Sequence, residues 1–167
     1  MRVRLARVED VPDVLPMVRA ICDLHEERDP ARYAFLPDVI RRYARWLPER
    51  AVDDRSVFLV AERPDRSLAA FLVATIEEGI PIFITQEYGW IHDVWVEPDA
   101  RRTGLAGAMV QEALARFRAM GLSQVRLETG MFNNVARHVF EREGFRPCTV
   151  EMACELDTIR TRDPMIQ

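Results

Sequence analysis

The first third of the chain contains one strand pattern and two helical patterns. Residues 2–7 alternate apolar side chains with arginines, which predicts a short first strand. Apolar residues then recur at helical spacing over 11–24, and Asp10 stands where an N-cap is expected. A second helix is predicted over 37–47, where the apolar positions again lie three and four residues apart.

Strand patterns dominate the middle of the chain. The apolar runs 57–61 and 68–76 are separated by a turn-like Arg-Pro-Asp sequence, which is typical of a hairpin. An irregular stretch over 77–87 follows, and the aromatic-rich run 88–96 predicts a further strand.

The last third predicts two helices and two extended segments. The helices cover 103–120 and 133–143, each followed by a glycine, and the strand 125–128 lies between them. Residues 147–156 form a last extended segment. The order β-α-α-β-β-β-α-β-α-β predicts a mixed α/β domain.

The composition excludes some kinds of catalytic chemistry and some partners. With 167 residues, 49% of them hydrophobic and 30% charged, the chain has the size and core of a single folded domain. All 23 basic residues are arginine, so Schiff-base chemistry and a P-loop lysine are excluded. The net charge of -4 argues against nucleic acid as a partner.

The cysteines and the hydropathy pattern point to a reduced, soluble, cytoplasmic protein. Cys22, Cys148 and Cys154 are odd in number and form no CxxC pair, so neither a disulfide framework nor a zinc site is predicted. No spacing of His, Cys, Asp and Glu predicts any other metal site. No apolar run reaches signal-peptide or membrane-spanning length, so no membrane association is expected.

The most informative segment is the loop between the strand 88–96 and the helix 103–120. A helix N-terminus exposes unpaired backbone N–H groups, which bind anions such as phosphate. Small residues at Gly104, Ala106 and Gly107 keep side chains away from those groups, and Arg101 and Arg102 add positive charge. The alternative is a turn whose small residues allow close packing and whose arginines are solvated. The loop has neither the P-loop nor the Rossmann pattern.

Two motifs together resemble those of one enzyme superfamily. Residues 96–106 (V-E-P-D-A-R-R-T-G-L-A) resemble the acyl-CoA-binding motif of the GCN5-related N-acetyltransferases (GNAT). Residues 133–145 (N-N-V-A-R-H-V-F-E-R-E-G-F) are similar to the second motif of that superfamily. The element order fits as well, over a core of about residues 2–157 followed by a short C-terminal tail. The resemblance implies a mixed α+β domain with a mostly antiparallel sheet, a splayed strand pair and about four flanking helices.

The resemblance also implies where acetyl-CoA, the acyl donor, binds. Backbone amides of the loop would hold its pyrophosphate, and the strand before the loop would pair with the pantetheine arm. Asn133 matches the asparagine that contacts this arm or its adenine side. The positions that match the loop and the strand are Arg101, Arg102, Thr103, Gly104, Leu105, Ala106, Gly107, Ala108, Val94, Trp95 and Val96.

Three residues are candidates for the base that removes a proton from an attacking amine. The run Ile-His-Asp-Val-Trp-Val resembles the L-E-D-x-x-V strand of diamine N-acetyltransferases. His92 stands in place of the glutamate that serves as the base in those enzymes, and Asp93 matches the acid that follows it. A histidine titrates in the right pH range for this work. Asp93 would otherwise fix an ammonium group or orient His92. Glu128, at the end of the next strand, is the third candidate, and each has an ordinary structural role as the alternative.

One position departs from the family pattern. Phe140 stands where the family usually has a tyrosine that protonates the leaving thiolate, and phenylalanine has no proton to donate. The resemblance as a whole implies acetyl transfer to a primary amine, most simply a small molecule, whereas Phe140 keeps a non-catalytic acyl-CoA-binding sensor as the alternative. A homodimer through sheet edges or the last strand stays open.

Acceptor specificity is expected from the first two helices and the stretch 77–87. Acidic residues in these regions would favour a cationic amine, or would form a solvated face: Asp23, Glu26, Glu27, Asp29, Glu77, Glu78 and Glu87. Aromatic residues would line an apolar cleft, or would belong to the core: Tyr33, Phe35, Tyr43, Trp46, Phe83 and Tyr88. His25 is expected at a solvated helix end.

Overall fold

A single five-stranded sheet in the order β1-β2-β3-β4-β5 organises the chain. In a computed structural model that describes residues 1–156, the first four strands are antiparallel and β5 runs parallel to β4. The predicted tail after residue 157 lies outside the described residues. The strands are β1 (Arg2–Leu5), β2 (Ser56–Glu62), β3 (Leu68–Glu78), β4 (Glu87–Val96) and β5 (Val125–Leu127).

Helices cover both faces of this sheet. One hydrophobic cluster packs the first two helices against one face, and a second cluster packs the third helix against the other. None of the helices in residues 1–156 is long and apolar enough to cross a membrane. The four α-helices of the described chain are α1 (Val11–Arg28), α2 (Val39–Val52), α3 (Leu105–Ala119) and α4 (Asn134–Arg142). The predicted class, a mixed domain with a mostly antiparallel sheet, is confirmed.

An arginine on β1 ties the start of α1 to the sheet. The Arg4 guanidinium donates to Asp10 at 2.7 and 2.9 Å and to Glu62 of β2 at 2.9 and 2.7 Å. The hydrogen bonds from Arg4 hold the pKa of Asp10 below its usual range. Asp10 does precede α1, but its carboxylate caps no helical amide and accepts from Arg7 N–H instead. Asp10 is therefore the N-cap residue of α1, as predicted, but its side chain makes no capping hydrogen bond because Arg4 and Arg7 N–H engage the carboxylate.

The prediction of a last strand over residues 147–156 is wrong. Residues 147–155 have no regular secondary structure, and Val150, Met152 and Leu156 are exposed. Alternation of apolar and polar residues suits a strand, but a strand needs a partner ladder. The outer edge of β5 is only three residues long.

Helix α3 lies close to β4 because β4 has a glycine at the contact. A Cβ atom added to Gly89 would lie 2.6 Å from Cδ2 of Phe117, whose ring is fully buried. This is well inside van der Waals contact, so any side chain at position 89 would displace the ring or the helix.

We predict that Gly89→Ala lowers the free energy of unfolding by about 1–3 kcal/mol, the typical cost of an overpacked core. Urea denaturation measures this value. Phe117→Leu should destabilise the protein by itself, yet adding Gly89→Ala to it should cost much less than in the wild type. Strictly additive effects of the two substitutions would contradict the steric explanation.

Candidate active site

An extra residue in β4 brings two candidate bases to one face of the sheet. Asp93 is paired with Val73 of β3 and Ile91 with Ala74, so His92 is the additional residue of a β-bulge. Successive strand side chains normally point to opposite faces. Here His92 and Asp93 both contact groups on the side of α1 and α2, whereas Ile91 packs on the α3 side.

Asp93 is a buried acid with one hydrogen-bond donor from α2. It is 9% exposed, and the Tyr43 hydroxyl donates to its Oδ2 at 2.9 Å. Burial raises the pKa of Asp93 to about 6, and the bond from Tyr43 opposes this rise. Burial also raises the pKa of Tyr43, so the hydroxyl stays protonated and keeps donating.

His92 belongs to a short chain of hydrogen bonds from β3. Its Nε2 lies 2.7 Å from Thr75 Oγ1, and the Thr75 hydroxyl lies 2.6 Å from Glu77 Oε1. A carboxylate only accepts hydrogen bonds, so the single Thr75 proton goes to Glu77 and Nε2–H donates to Thr75. This arrangement leaves Nδ1 of His92 as the unprotonated nitrogen, the one that can accept a proton.

The surroundings of His92 favour its neutral form. Burial lowers the pKa of the imidazole below its usual value, the charge of Glu77 opposes this, and the charge of Arg50 adds to it. Trp46 of α2 packs edge-on against the ring, with centroids 5.2 Å apart. The side chain is still 29% exposed, so a substrate can reach it.

A cavity of about 250 Å³ opens at this imidazole. It is lined by Arg42, Tyr43 and Trp46 of α2 together with His92. Two of the aromatic residues predicted to line a cleft, Tyr43 and Trp46, thus do so. Because Tyr43 is also hydrogen-bonded to Asp93, the cavity lies directly over the bulge.

The start of α3 presents four backbone donors. Its first helical bond runs from Ala108 N–H to Gly104 O, and within residues 1–156 the N–H groups of residues 104–107 have no acceptor. Gly104 has φ +82°, and a Cβ there would meet nothing within 4 Å. Arg102 also has a positive φ, of 62°. The loop is therefore an open concavity of unpaired backbone N–H groups, a geometry that suits an anion.

Most side chains in this loop form contacts that hold its conformation, rather than pointing toward the free N–H groups. Arg101 Nε donates to Val96 O at 2.9 Å, and its guanidinium lies 4.7 Å from the centre of the Trp95 ring. Thr103 donates its hydroxyl to Ala100 O at 2.8 Å. The Leu105 side chain is buried in the core, so only its backbone is available to a ligand.

β4 has an open edge next to this loop. β5 pairs only with Gly89, Trp90 and Ile91, so the rest of β4 lacks a partner on that side in the described chain. Glu97 N–H bonds to Ala69 of β3, and the alternation along a strand then turns the backbone groups of Val94 and Val96 toward the open side. The backbone of Trp95 faces β3 instead.

The second motif forms α4 and its contact with α3. Asn133 caps α4, because its side chain accepts from Ala136 N–H at 3.1 Å. Phe140 packs edge-on against Phe145, with ring centroids 5.9 Å apart, in the cluster on the α3 side. Glu143, which follows α4, reaches α3, where Gln111 donates to its Oε2 at 2.6 Å and its Oε1 lies beside Gly107.

Comparison with known proteins shows the family of the chain. The sequence profile described as "Acetyltransferase (GNAT) family" matches residues 18–145. The chain belongs to the GNAT acetyltransferase family. It is similar to a mycothiol acetyltransferase of Cellulomonas flavigena, with 35% identity over 104 residues. The match covers 59% of this chain but only 29% of that relative, so the chain spans under a third of the relative's length.

Solved structures show the same fold. A tetramutant of a Bacillus halodurans protein has a TM-score of 0.80 at 18% identity, covering 93% of this chain and 100% of that one. A predicted acetyltransferase of Clostridium acetobutylicum, solved with acetyl-CoA, has a TM-score of 0.70 at 17% identity, covering 93% of this chain and 96% of that one. At these identities the likeness concerns the fold.

The remaining predicted residues of this GNAT protein lie apart from His92. Glu128 is exposed and lies 3.8 Å from Arg32, with which it forms an ion pair. It follows Leu127, the partner of Ile91, so it lies near the level of the bulge but on β5. Among the described residues it makes no contact with His92.

The end of α1 is an aromatic cluster. His25 stacks on Tyr33 with centroids 4.7 Å apart and packs edge-on against Phe132 at 5.9 Å. Burial lowers the pKa of His25, so the expected solvated helix end is wrong. The distant Phe132 closes over this position, and local sequence carries no sign of that contact.

Two residues at the site are not predicted from the sequence, because Thr75 lies within an apolar strand and Arg42 is one of several arginines on α2. Glu77 is one of the acids expected to favour a cationic amine or to form a solvated face, but its bond with Thr75 is not predicted. Each acquires its place from the pairing of β3 with the bulged β4 or from the docking of α2. No local motif marks them.

We predict that Asp93 makes stability fall as pH rises. Its folded pKa of about 6 lies above the ordinary aspartate value of 3.8, so its contribution is greatest below pH about 4 and is lost as pH rises through about 6. Relative to Asp93→Asn, which still accepts from Tyr43, the wild type should lose about 2 kcal/mol of unfolding free energy between pH 4 and pH 7.5. Parallel pH dependence of the two proteins in denaturant titrations would contradict this.

Proposed function

We propose that this protein transfers an acetyl group from acetyl-CoA to a primary amine of a small molecule. The observation that carries the proposal is one arrangement along β4 and the loop after it: four free amides at the start of α3, an open backbone edge on β4, and a partly exposed imidazole at the bulge. Pyrophosphate, an extended arm and a reacting thioester follow one another in the same order in acetyl-CoA. The name of the Cellulomonas relative supports a small-molecule acceptor.

The amides of residues 104–107 are the proposed pyrophosphate site. They point from the positive end of α3, and Gly104 leaves the approach open. Arg102 is exposed and adds charge beside them, whereas Arg101 is held on Trp95 and Val96. Binding here depends on the backbone more than on any one side chain.

The open edge of β4 is the proposed site for the pantetheine arm and the thioester. The backbone groups of Val94 and the N–H of Val96 would pair with the amides of the arm, since Val96 O accepts from Arg101. A backbone N–H near the bulge would donate to the thioester carbonyl, whose oxygen becomes negative when the amine attacks. The open edge ends at the bulge, so this step would occur beside His92.

His92 is the proposed proton acceptor. An alkylammonium has a pKa near 10.4, so an acceptor amine must lose a proton before it attacks. Nδ1 of His92 is the nitrogen free to take it, since Nε2–H is engaged by Thr75. Above pH about 6 the buried Asp93 is ionised, and its charge favours an ammonium group over the bulge.

The leaving thiolate has no tyrosine to protonate it at position 140. A thiol has a pKa near 8.5, so the thiolate leaves without an obligatory acid, and one missing acid costs about 10²–10⁴-fold in rate. Phe140 also keeps the sensor alternative open. Tight acetyl-CoA binding without transfer to any amine would favour that alternative.

We predict that the protein binds acetyl-CoA with micromolar affinity and that Gly104→Glu weakens binding at least about 100-fold, because a carboxylate would face the pyrophosphate. Isothermal titration calorimetry measures both affinities.

Gly121→Glu is the matched control. Gly121 ends the same helix with φ +88°, and a Cβ there also meets nothing within 4 Å. The two substitutions therefore impose similar backbone strain and the same charge at opposite ends of α3. Equal loss of binding in both variants, or no binding by the wild type, would contradict the proposed site.

We predict that kcat/KM falls at acid pH with an apparent pKa below 6.5, the ordinary value for histidine, because burial lowers the pKa of His92. Below that pKa the imidazole is protonated and cannot accept a proton. His92→Gln should lower kcat about 10²–10⁴-fold and abolish the acid limb of the profile.

Asp93→Asn distinguishes the two neighbouring groups. If His92 is the base, the acid limb persists in Asp93→Asn, although the rate falls. A limb that disappears in Asp93→Asn and persists in His92→Gln would assign the proton to Asp93 instead. Thiol release from acetyl-CoA, followed from pH 5 to 9, gives these profiles.

A further inference from the structure

One wall of the cavity at His92 is formed by the arginine-containing face of α2. Arg42, Trp46 and Arg50 lie at successive intervals of four residues, so they form one stripe on the helix. Arg42 and Trp46 line the cavity, and Arg50 places its guanidinium 5.8 Å from the Trp46 ring centre. The charge of Arg50 reaches His92 as well, where it contributes to lowering the imidazole pKa.

Arg42 keeps donors available for a ligand. Its Nε donates to Asp38 Oδ1 at 3.0 Å, and Arg41 donates to the other oxygen of the same carboxylate at 2.9 Å. One carboxylate thus lies between two guanidinium groups, which leaves a net positive charge. The two Nη groups of Arg42 have no hydrogen-bond partner among residues 1–156.

The expected acidic lining is absent from this cavity. Among the described residues that line it, none is one of the seven acids predicted to favour a cationic amine. Glu77 accepts from Thr75, and Glu87 is paired with Arg55. The ionised group that a ligand would meet at the wall is the Arg42 guanidinium.

We infer that the acceptor is a primary amine that also carries an anionic group, a carboxylate or a phosphate. The anionic group pairs with the Arg42 guanidinium, a fork of donors that suits both anions. The apolar part of the molecule packs on Tyr43 and Trp46, and the amine lies at His92 Nδ1. This inference rests on the proposed function and names the substrate class of the same site.

Arg42 and His92 line the same cavity of about 250 Å³. A small acceptor whose amine and anion are separated by a few bonds, such as an amino acid or an aminoalkyl phosphate, is the simplest molecule to place both ends there. A larger acceptor would place only its amine-bearing end here.

Matched pairs of acceptors test the inference directly. L-Phenylalanine is compared with 2-phenylethylamine, which lacks only the carboxylate, and O-phosphoethanolamine with ethanolamine. Thiol release from acetyl-CoA gives kcat/KM for each compound. At least one anionic member should be favoured about tenfold or more, the effect of a charge-assisted hydrogen bond, and the favoured pair identifies the anion.

Arg42→Gln should remove that preference, so that kcat/KM for the anionic member falls to the value for its partner amine that lacks the anion. Arg41→Gln is the matched control, because Arg41 shares the Asp38 carboxylate but does not line the cavity. It should retain the preference. Equal rates within both pairs for the wild type, or the same loss in both variants, would overturn the inference while the proposed acetyl transfer stands.

Saturation-transfer NMR of the same four compounds separates this inference from the proposed function. If no compound is acetylated, binding of an anionic member that Arg42→Gln abolishes and Arg41→Gln keeps supports the anion site, and the proposed function alone fails. Binding with no discrimination between pair members, or no binding of any of the four, overturns the anion site.

Discussion

An extra residue in β4 determines which side chains meet at the site. With a regular register, His92 and Asp93 would point to opposite faces of the sheet, and only one would lie under α2. The bulge turns both toward the same face. It also lies just past Ile91, where pairing with β5 stops, so the open backbone edge and the two titratable groups begin at one point.

Burial of Asp93 has consequences for the helix above it. A carboxylate held at 9% exposure is costly unless it is hydrogen-bonded, and Tyr43 supplies that bond. The bond fixes α2 over β4 and so shapes the cavity between them. The same burial moves the pKa of Asp93 to about 6, where a small change of pH alters its charge. The residue stabilises one position of α2 at the expense of stability at neutral pH.

Most of the fold could be predicted because helices and strands leave periodic patterns. The helix 103–120 and the strand 88–96 are confirmed to within two residues at each end. The open start of α3 is predictable too, since a helix N-terminus and small residues suffice for it. The strand predicted over residues 147–156 is wrong because a strand pattern does not identify a partner strand.

The candidate side chains at the cavity depend on contacts that no local pattern encodes. Thr75 reaches His92 only because β3 pairs with the bulged β4, and Arg42 reaches the cavity only because α2 docks over it. His25 is enclosed by Phe132, more than a hundred residues later in the chain. The register and the helix docking must be known before these contacts can be read.

The start of α3 is predictable and the side chains at the cavity are not, because the two halves of the site are built differently. The part proposed for the acyl donor consists of backbone groups, which need small residues and one left-handed glycine at fixed spacing, and those requirements are visible in the sequence. The part proposed for the acceptor consists of side chains from β3, β4 and α2, and substituting any of them leaves the fold's backbone bonds intact. A scaffold of this kind keeps its donor site while its acceptor varies, so α2 and its arginines are where the specificity of this protein is to be sought.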